Sequence, residues 1–185
     1  MVFPQGAFSS EAVTALKTNN YVAAVNTEIA PGDNTVNKTT IADLWSVAIL
    51  RYGQFPIYTR RYMHHGIENF AFDGLLGKPS FLVGHHELLR NHGKNLSEFI
   101  ARLTCLHWKL CWRTVGEAVI RSYRTHRRDG TLRLKMFAER TIFENRETIP
   151  LQITALKDEA RWSKRNAQPP KRELFLCRRV PTIRH

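Results

Sequence analysis

Gly77-Lys78-Pro79-Ser80-Phe81-Leu82-Val83-Gly84-His85-His86-Glu87 is the stretch that decides the fold class of this chain. Gly77-Lys78-Pro79 reads as a turn, Phe81 to Val83 as a short buried strand, and Gly84 as its end. Two histidines and a glutamate follow at once. After a polar loop, Leu96, Phe99, Ile100 and Leu103 recur at spacings of three and four, the period of one helix face. The order is strand, polar tip, loop, helix. In α/β folds, groups at the C-terminal end of a strand face the active-site side, and His85, His86 and Glu87 stand at that address.

The pattern continues upstream. Ser9 or Ser10 caps a helix through Glu11 to Lys17, which Asn19-Asn20 ends. Tyr21 to Val25 reads as a strand, Asn26 to Lys38 as a polar loop, and Ile41 to Leu50 as a short helix. Gln54 to Tyr62 reads as a second strand and His64 to Phe72 as helix or loop. Strands alternating with helices imply a mostly parallel α/β sheet or barrel. Past about residue 115 the pattern changes. Leu132 to Phe137 alternates apolar and polar residues, with Arg133 and Lys135 on one face and Leu134 and Met136 on the other. Thr141 to Glu144, Leu151 to Leu156 and Glu173 to Cys177 are further strand candidates, separated by turn signals such as Asp129-Gly130. The expected architecture is therefore α/β: a partial, distorted (β/α) unit over residues 1–112 and a small antiparallel β appendage over residues 113–185.

The chain's net charge of +12 is unevenly spread. Residues 1–103 hold 9 Lys/Arg and 8 Asp/Glu, whereas residues 104–185 hold 19 and 8. A basic half beside a near-neutral one suggests a core half and a surface-binding half, whose basic clusters suit an anionic polymer or membrane surface. A solvated, solubilising face is the plainer account of the same charges. No apolar run approaches a membrane span of roughly 20 residues. No basic-then-apolar leader opens the chain, so no export address is expected and the cytoplasm is the default compartment. Cys105, Cys111 and Cys177 lack paired spacing and read as reduced, mostly structural thiols.

A histidine titrates close enough to neutrality to act as general acid or base. Adjacent residues on an extended strand point to opposite faces, so only one of His85 and His86 is expected to face a pocket. His64-His65 is weaker, because adjacent histidines chelate one ion poorly and no HxxxH or HExxH spacing accompanies them. Trp45 and Arg60 are pocket candidates for substrate; for Trp45 plain core, and for Arg60 a solvated strand end, is the commoner role. No phosphate-cradling Gly-rich loop and no nucleophile elbow is present. Lys164-Arg165 and Arg178-Arg179 suit a polyanion, but no aromatic interleaving identifies a nucleic-acid module.

Two stretches together resemble the C-terminal half of the polysaccharide deacetylases, the NodB-homology group of carbohydrate esterases. Phe3-Pro4-Gln5-Gly6, a helix and Tyr21-Val22-Ala23-Ala24-Val25 are similar to the family's Arg-Pro-Pro-Tyr-Gly-like loop, helix and strand. Phe81-Leu82-Val83-Gly84-His85-His86-Glu87 and the following helix are similar to its last motif, a strand ending in Leu-x-His-Asp. The resemblance covers roughly residues 1–103. It implies a distorted (β/α) barrel and hydrolysis of an N-acetyl group on a polysaccharide by a water activated on a divalent metal, usually zinc. It places the general acid at His86, with His85 the second choice, and the Pro4-Gln5-Gly6 loop at the substrate; Trp45 and, from its place between Tyr58 and Tyr62, Arg60 complete the candidate substrate contacts.

The departures are specific. The family's Asp-Asp and His-x-x-x-His motifs, which supply base and metal ligands, precede the Pro-Gly loop, and no such motif is present here. The loop arginine is replaced by Val2 or lost, and Asp43-Leu44-Trp45 only echoes Asp-x-x-x-Trp. The expectation is thus a partial or divergent deacetylase-like protein that binds no metal by itself. The rivals are a non-enzymatic carbohydrate-binding protein and a basic nucleic-acid-binding protein working through residues 113–185.

Overall fold

The computed structural model describes residues 1–3, 6–27, 30–31, 40–106, 110–145, 147–148, 150–157 and 173–177, the backbone alone at 30–31, 87, 157 and 173–177. Strand β1 (Ala7–Phe8) leads into helix α1 (Ser10–Thr18). The Ser9 hydroxyl accepts the Ala12 N–H at 3.2 Å, which satisfies one of the helix's orphan donors. Strand β2 (Ala24–Asn26) follows, later than the expected Tyr21 to Val25. Tyr21 is still tied to the helix end, its N–H donating to the Leu16 carbonyl. Strand β3 (Ala30–Pro31) pairs in parallel with β1.

Helix α2 (Ile41–Trp45) is half the length expected from Ile41 to Leu50. Val47, Ala48, Ile49 and Leu50 are buried, and Ile49 forms an antiparallel bridge to Ile57. An apolar run of this length does not distinguish a buried helix from a buried extended segment. Strand β4 (Ile57–Tyr62) begins three residues later than expected, because Gly53 and Gln54 take left-handed φ of 61° in a turn. Helix α3 (Ile67–Leu75), strand β5 (Phe81–Val83) and helix α4 (Lys94–Thr104) complete this part.

Strands β2, β4 and β5 form one parallel sheet, in that spatial order. Successive residues of β4 serve opposite faces. Ile57 joins Phe3, Phe8, Val13 and Phe55 under α1. Tyr58 joins Val25, Val47, Val119 and Phe137 on the other face. Its hydroxyl donates to the Phe137 carbonyl at 2.9 Å, and burial pushes the phenol's pKa up. The expected apolar face of α4 is present: Phe99 and Leu103 are buried against Phe70 and Leu82. Full burial of a side chain such as Phe70 contributes about 1.5–3 kcal/mol.

Helix α5 (Val115–Ile120) and strands β6 (Tyr123–Arg128), β7 (Thr131–Met136), β8 (Leu151–Lys157) and β9 (Glu173–Cys177) follow. The local signal for α5 was the capping box formed by Thr114 and Glu117. Dense charge concealed β6. Asp129-Gly130, with φ of 51° and 73°, turns β6 into β7 as expected. The sheet order is β6-β7-β8-β9, but β7 and β8 pair in parallel, so the sheet is mixed rather than antiparallel throughout. Alternation reports which face a residue takes and not which way the neighbouring strand runs. Thr141 to Glu144 is not a strand. The Ile142 N–H donates to the Ile120 carbonyl and Glu144 pairs with Arg121, so this segment is tied to the end of α5.

The molecule is thus mixed α/β, with small parallel and mixed sheets and no closed barrel among the described residues. No described helix is long and apolar enough to cross a membrane. Cys105 and Cys111 are exposed free thiols, not core residues.

Candidate functional site

The C-terminal edge of β2-β4-β5 gathers the side chains best placed for chemistry. Val83 is in register with Tyr62, so His85, two residues on, returns to the face that Tyr62 occupies. The His85 ring stacks on Tyr62 with centroids 5.9 Å apart and planes 29° apart. A Cβ at Gly84 would stand 1.8 Å from Leu88 Cδ1, so a larger residue there would push the Leu88 side chain aside.

Tyr62 is the centre of a ring cluster. His64 stacks on it at 5.1 Å, and His65 meets it edge-on at 5.6 Å. The Tyr62 N–H donates to His65 Nδ1 at 3.3 Å. That bond occupies the Nδ1 lone pair, so neutral His65 carries its proton on Nε2. The Asn69 amide donates to the His65 carbonyl and ties the turn to α3.

Arg60 lies on the same face as Tyr62, its Nε donating to Thr27 Oγ1 at 2.9 Å just past the end of β2. On the opposite face, Asn26 is fully buried and donates from Nδ2 to the Gly6 carbonyl at 2.7 Å. Gly6 therefore sits at the C-terminal end of β2, on the helix-covered face opposite Tyr62 and His85. Asn26 Oδ1 and Thr59 Oγ1 are buried without partners among the described residues, on register-paired positions.

One layer below, Asp73 of α3 is buried and accepts from Arg61 Nε at 2.5 Å and Nη2 at 2.9 Å. Lys78 Nζ lies 3.7 Å from the same carboxylate and donates to the Leu44 carbonyl at 2.7 Å. Burial lowers the Lys78 pKa, Asp73 opposes that shift, and Arg61 adds to it. Asp73's hydrogen bond raises the Arg61 pKa. This cluster joins β4, α3 and the approach to β5, and so fixes the two strands that bear Tyr62 and His85.

Of the residues singled out in the sequence, His85 and Arg60 lie on the Tyr62 face of this edge, whereas Gly6 is held on the opposite face, away from them. His85 and His86 are both exposed, and His86 opens a 3-10 helix (His86–Gly93) after β5. Trp45 is 58% exposed at the end of α2, beside the Leu44 carbonyl that Lys78 holds, on the side from which β5 enters the sheet. Pro4, Gln5 and the side chain of Glu87 lie outside the described residues. Tyr62 and Asn26 were missed. Their strand-end positions were readable, but their contacts were not.

The donor set does not suit the zinc that the resemblance implies. Among the described residues no three His, Cys, Asp or Glu side chains come together in ligand geometry. His65 has committed Nδ1 to a backbone N–H, and the remaining rings are stacked on Tyr62 rather than converging on a point.

A second surface lies on β6 and β7. Register places Arg124 opposite Lys135 and His126 opposite Arg133, with Arg128 on the same face. Like charges directly opposite each other destabilise a sheet. Arg124 and Lys135 both stand over the Phe137 ring, at 5.8 and 5.4 Å from its centroid.

Comparison with family models, with curated proteins and with solved structures finds no match to this chain.

Proposed function

We propose that this chain is a divergent polysaccharide deacetylase-like protein built on a partial (β/α) barrel, its parent reaction the hydrolysis of an N-acetyl group on a glycan. The observation that carries the reading is the stacking of His85 on Tyr62 at the C-terminal ends of two adjacent parallel strands, on the face that also bears Arg60. Helices α1, α3 and α4 cover one face of that sheet, as the outer layer of such a barrel does. In this reading His85 takes the acid role in place of His86, because its ring stacks on Tyr62. Tyr62 orients the ring, and Arg60 binds a substrate oxygen. His85 would hold the proton that the departing amine acquires. The described residues supply no ligand set for a metal-activated water, so no step is routed through one.

The test is a titration with a tetramer of N-acetylglucosamine, followed through the ring signals of His85, His64 and Tyr62 by NMR. Those signals are expected to shift saturably, and the fully deacetylated tetramer and the His85→Ala variant to bind more weakly. Unmoved His85 and Tyr62 signals at saturating glycan would overturn the reading.

The opposed cations of β6 and β7 support a second reading, an anionic polymer laid along that face with no role for the His85 edge.

A further inference from the structure

The face of the β6–β9 sheet opposite those cations bears a groove of about 550 Å³. That volume lies within the range of about 300–1,000 Å³ usual for small-ligand sites. Its floor is apolar and half-buried: Tyr123 and Phe143 meet edge to face at 5.6 Å, with Leu132 beside them. Alternation along β6 and β7 sends these side chains to one face and Arg124, His126 and Arg133 to the other.

The rim's charge is what distinguishes this groove from the rest of a +12 chain. Three arginines, Arg113, Arg121 and Arg127, stand against two glutamates, Glu144 and Glu147. Arg121 Nη1 lies 2.6 Å from Glu144 Oε1, and Glu147 accepts from Arg127 at 2.6 Å. A polyanion meets two carboxylates there, and two of the three arginines are already paired with them. The rim groups are planar guanidinium and carboxylate, with the Asn145 amide and the Thr125 hydroxyl beside them. They set donors next to acceptors, the arrangement that paired vicinal hydroxyls satisfy. Half-exposed aromatic rings below suit the C–H face of a sugar. Arg121 Nε is buried with no acceptor among the described residues.

We infer that this groove binds a neutral, polyhydroxylated glycan segment, in a site separate from the His85 edge and independent of any reaction there. The experiment titrates the whole chain with cellotetraose and with the N-acetylglucosamine tetramer, and uses dextran sulfate as the anionic comparator. Tyr123 and Phe143 signals are expected to shift saturably with at least one neutral tetramer. Affinity should hold between about 50 mM and about 500 mM salt, because no net charge is neutralised. Phe143→Ala removes part of the floor. Thr125→Trp fills the groove from an exposed position on β6 and keeps every core side chain. Both should weaken binding by about tenfold or more, and His85→Ala should leave it unchanged. Binding that survives Thr125→Trp at full strength, or that disappears in His85→Ala, overturns the inference. So does failure of both neutral tetramers to saturate, whether or not dextran sulfate binds. Shifts confined to Tyr123 and Phe143, with His85 unmoved, would sustain this site and refute the deacetylase-like edge.

Discussion

Asp73→Ala should be among the most damaging single substitutions in the sheet, and its cost can be worked from the three groups at the cluster. The carboxylate is buried, it takes two hydrogen bonds from Arg61, and it is the only acid near Lys78 among the described residues. Removing one partner of a buried pair costs about 3–5 kcal/mol, most of it the penalty of the charge left behind. Arg61 retains 25% of its side-chain exposure and can turn toward water, whereas the Lys78 side chain is only 3% exposed and cannot. The lower end, about 3 kcal/mol, is therefore expected, or roughly 6–12 °C in Tm at this chain length. Adding Lys78→Met removes the stranded cation and should recover about 1 kcal/mol or more, a coupling between neighbours that share a partner. Recovery is partial, because the Leu44 carbonyl loses its donor.

Proton counting gives the pH dependence. Lys78 is held below its ordinary pKa in the folded state, so the unfolded chain binds the extra proton, and stability rises with pH as that site empties. Without Asp73 the opposing influence is gone and the window extends further down. The deficit of Asp73→Ala should thus be smaller near pH 10 than near pH 7. Thermal and urea unfolding at both pH values measure it, and the His85 ring signals report whether the Tyr62 stack has loosened. A Tm within about 2 °C of wild type, or a double variant no more stable than Asp73→Ala, would refute this account of the cluster.

Tyr58→Phe should cost about 1–3 kcal/mol in urea unfolding, because the Phe137 carbonyl loses a buried donor. Burial raises the Tyr58 pKa, so wild type should lose stability as pH climbs past about 10, the ordinary tyrosine value, and the variant should lose less. Tyr62→Ala removes the ring on which His64 and His85 stack, at about 0.5–1.5 kcal/mol per aromatic contact. Both histidine ring signals should move toward free-imidazole positions while those of Phe70 and Phe99 stay in place.

What the sequence determined by itself is local. Ser9 caps α1, Asp129-Gly130 turns β6 into β7, and the Leu96, Phe99, Ile100 and Leu103 stripe forms α4, since each signal lies within a few residues of what it specifies. Gly84 closing a short strand before His85 was legible for the same reason. The tertiary structure alone decided the partners. Tyr62 meets His85 because β4 and β5 run parallel in a register that a residue pattern does not encode. Asp73 joins Arg61 and Lys78 only once α3 has packed on the sheet, and the direction of β8 beside β7 is invisible to alternation. Caps, turns and periodicity are energies of neighbouring residues. Register, strand direction and the pairing of buried charges emerge only when distant segments bury their faces together and offset the loop entropy of meeting.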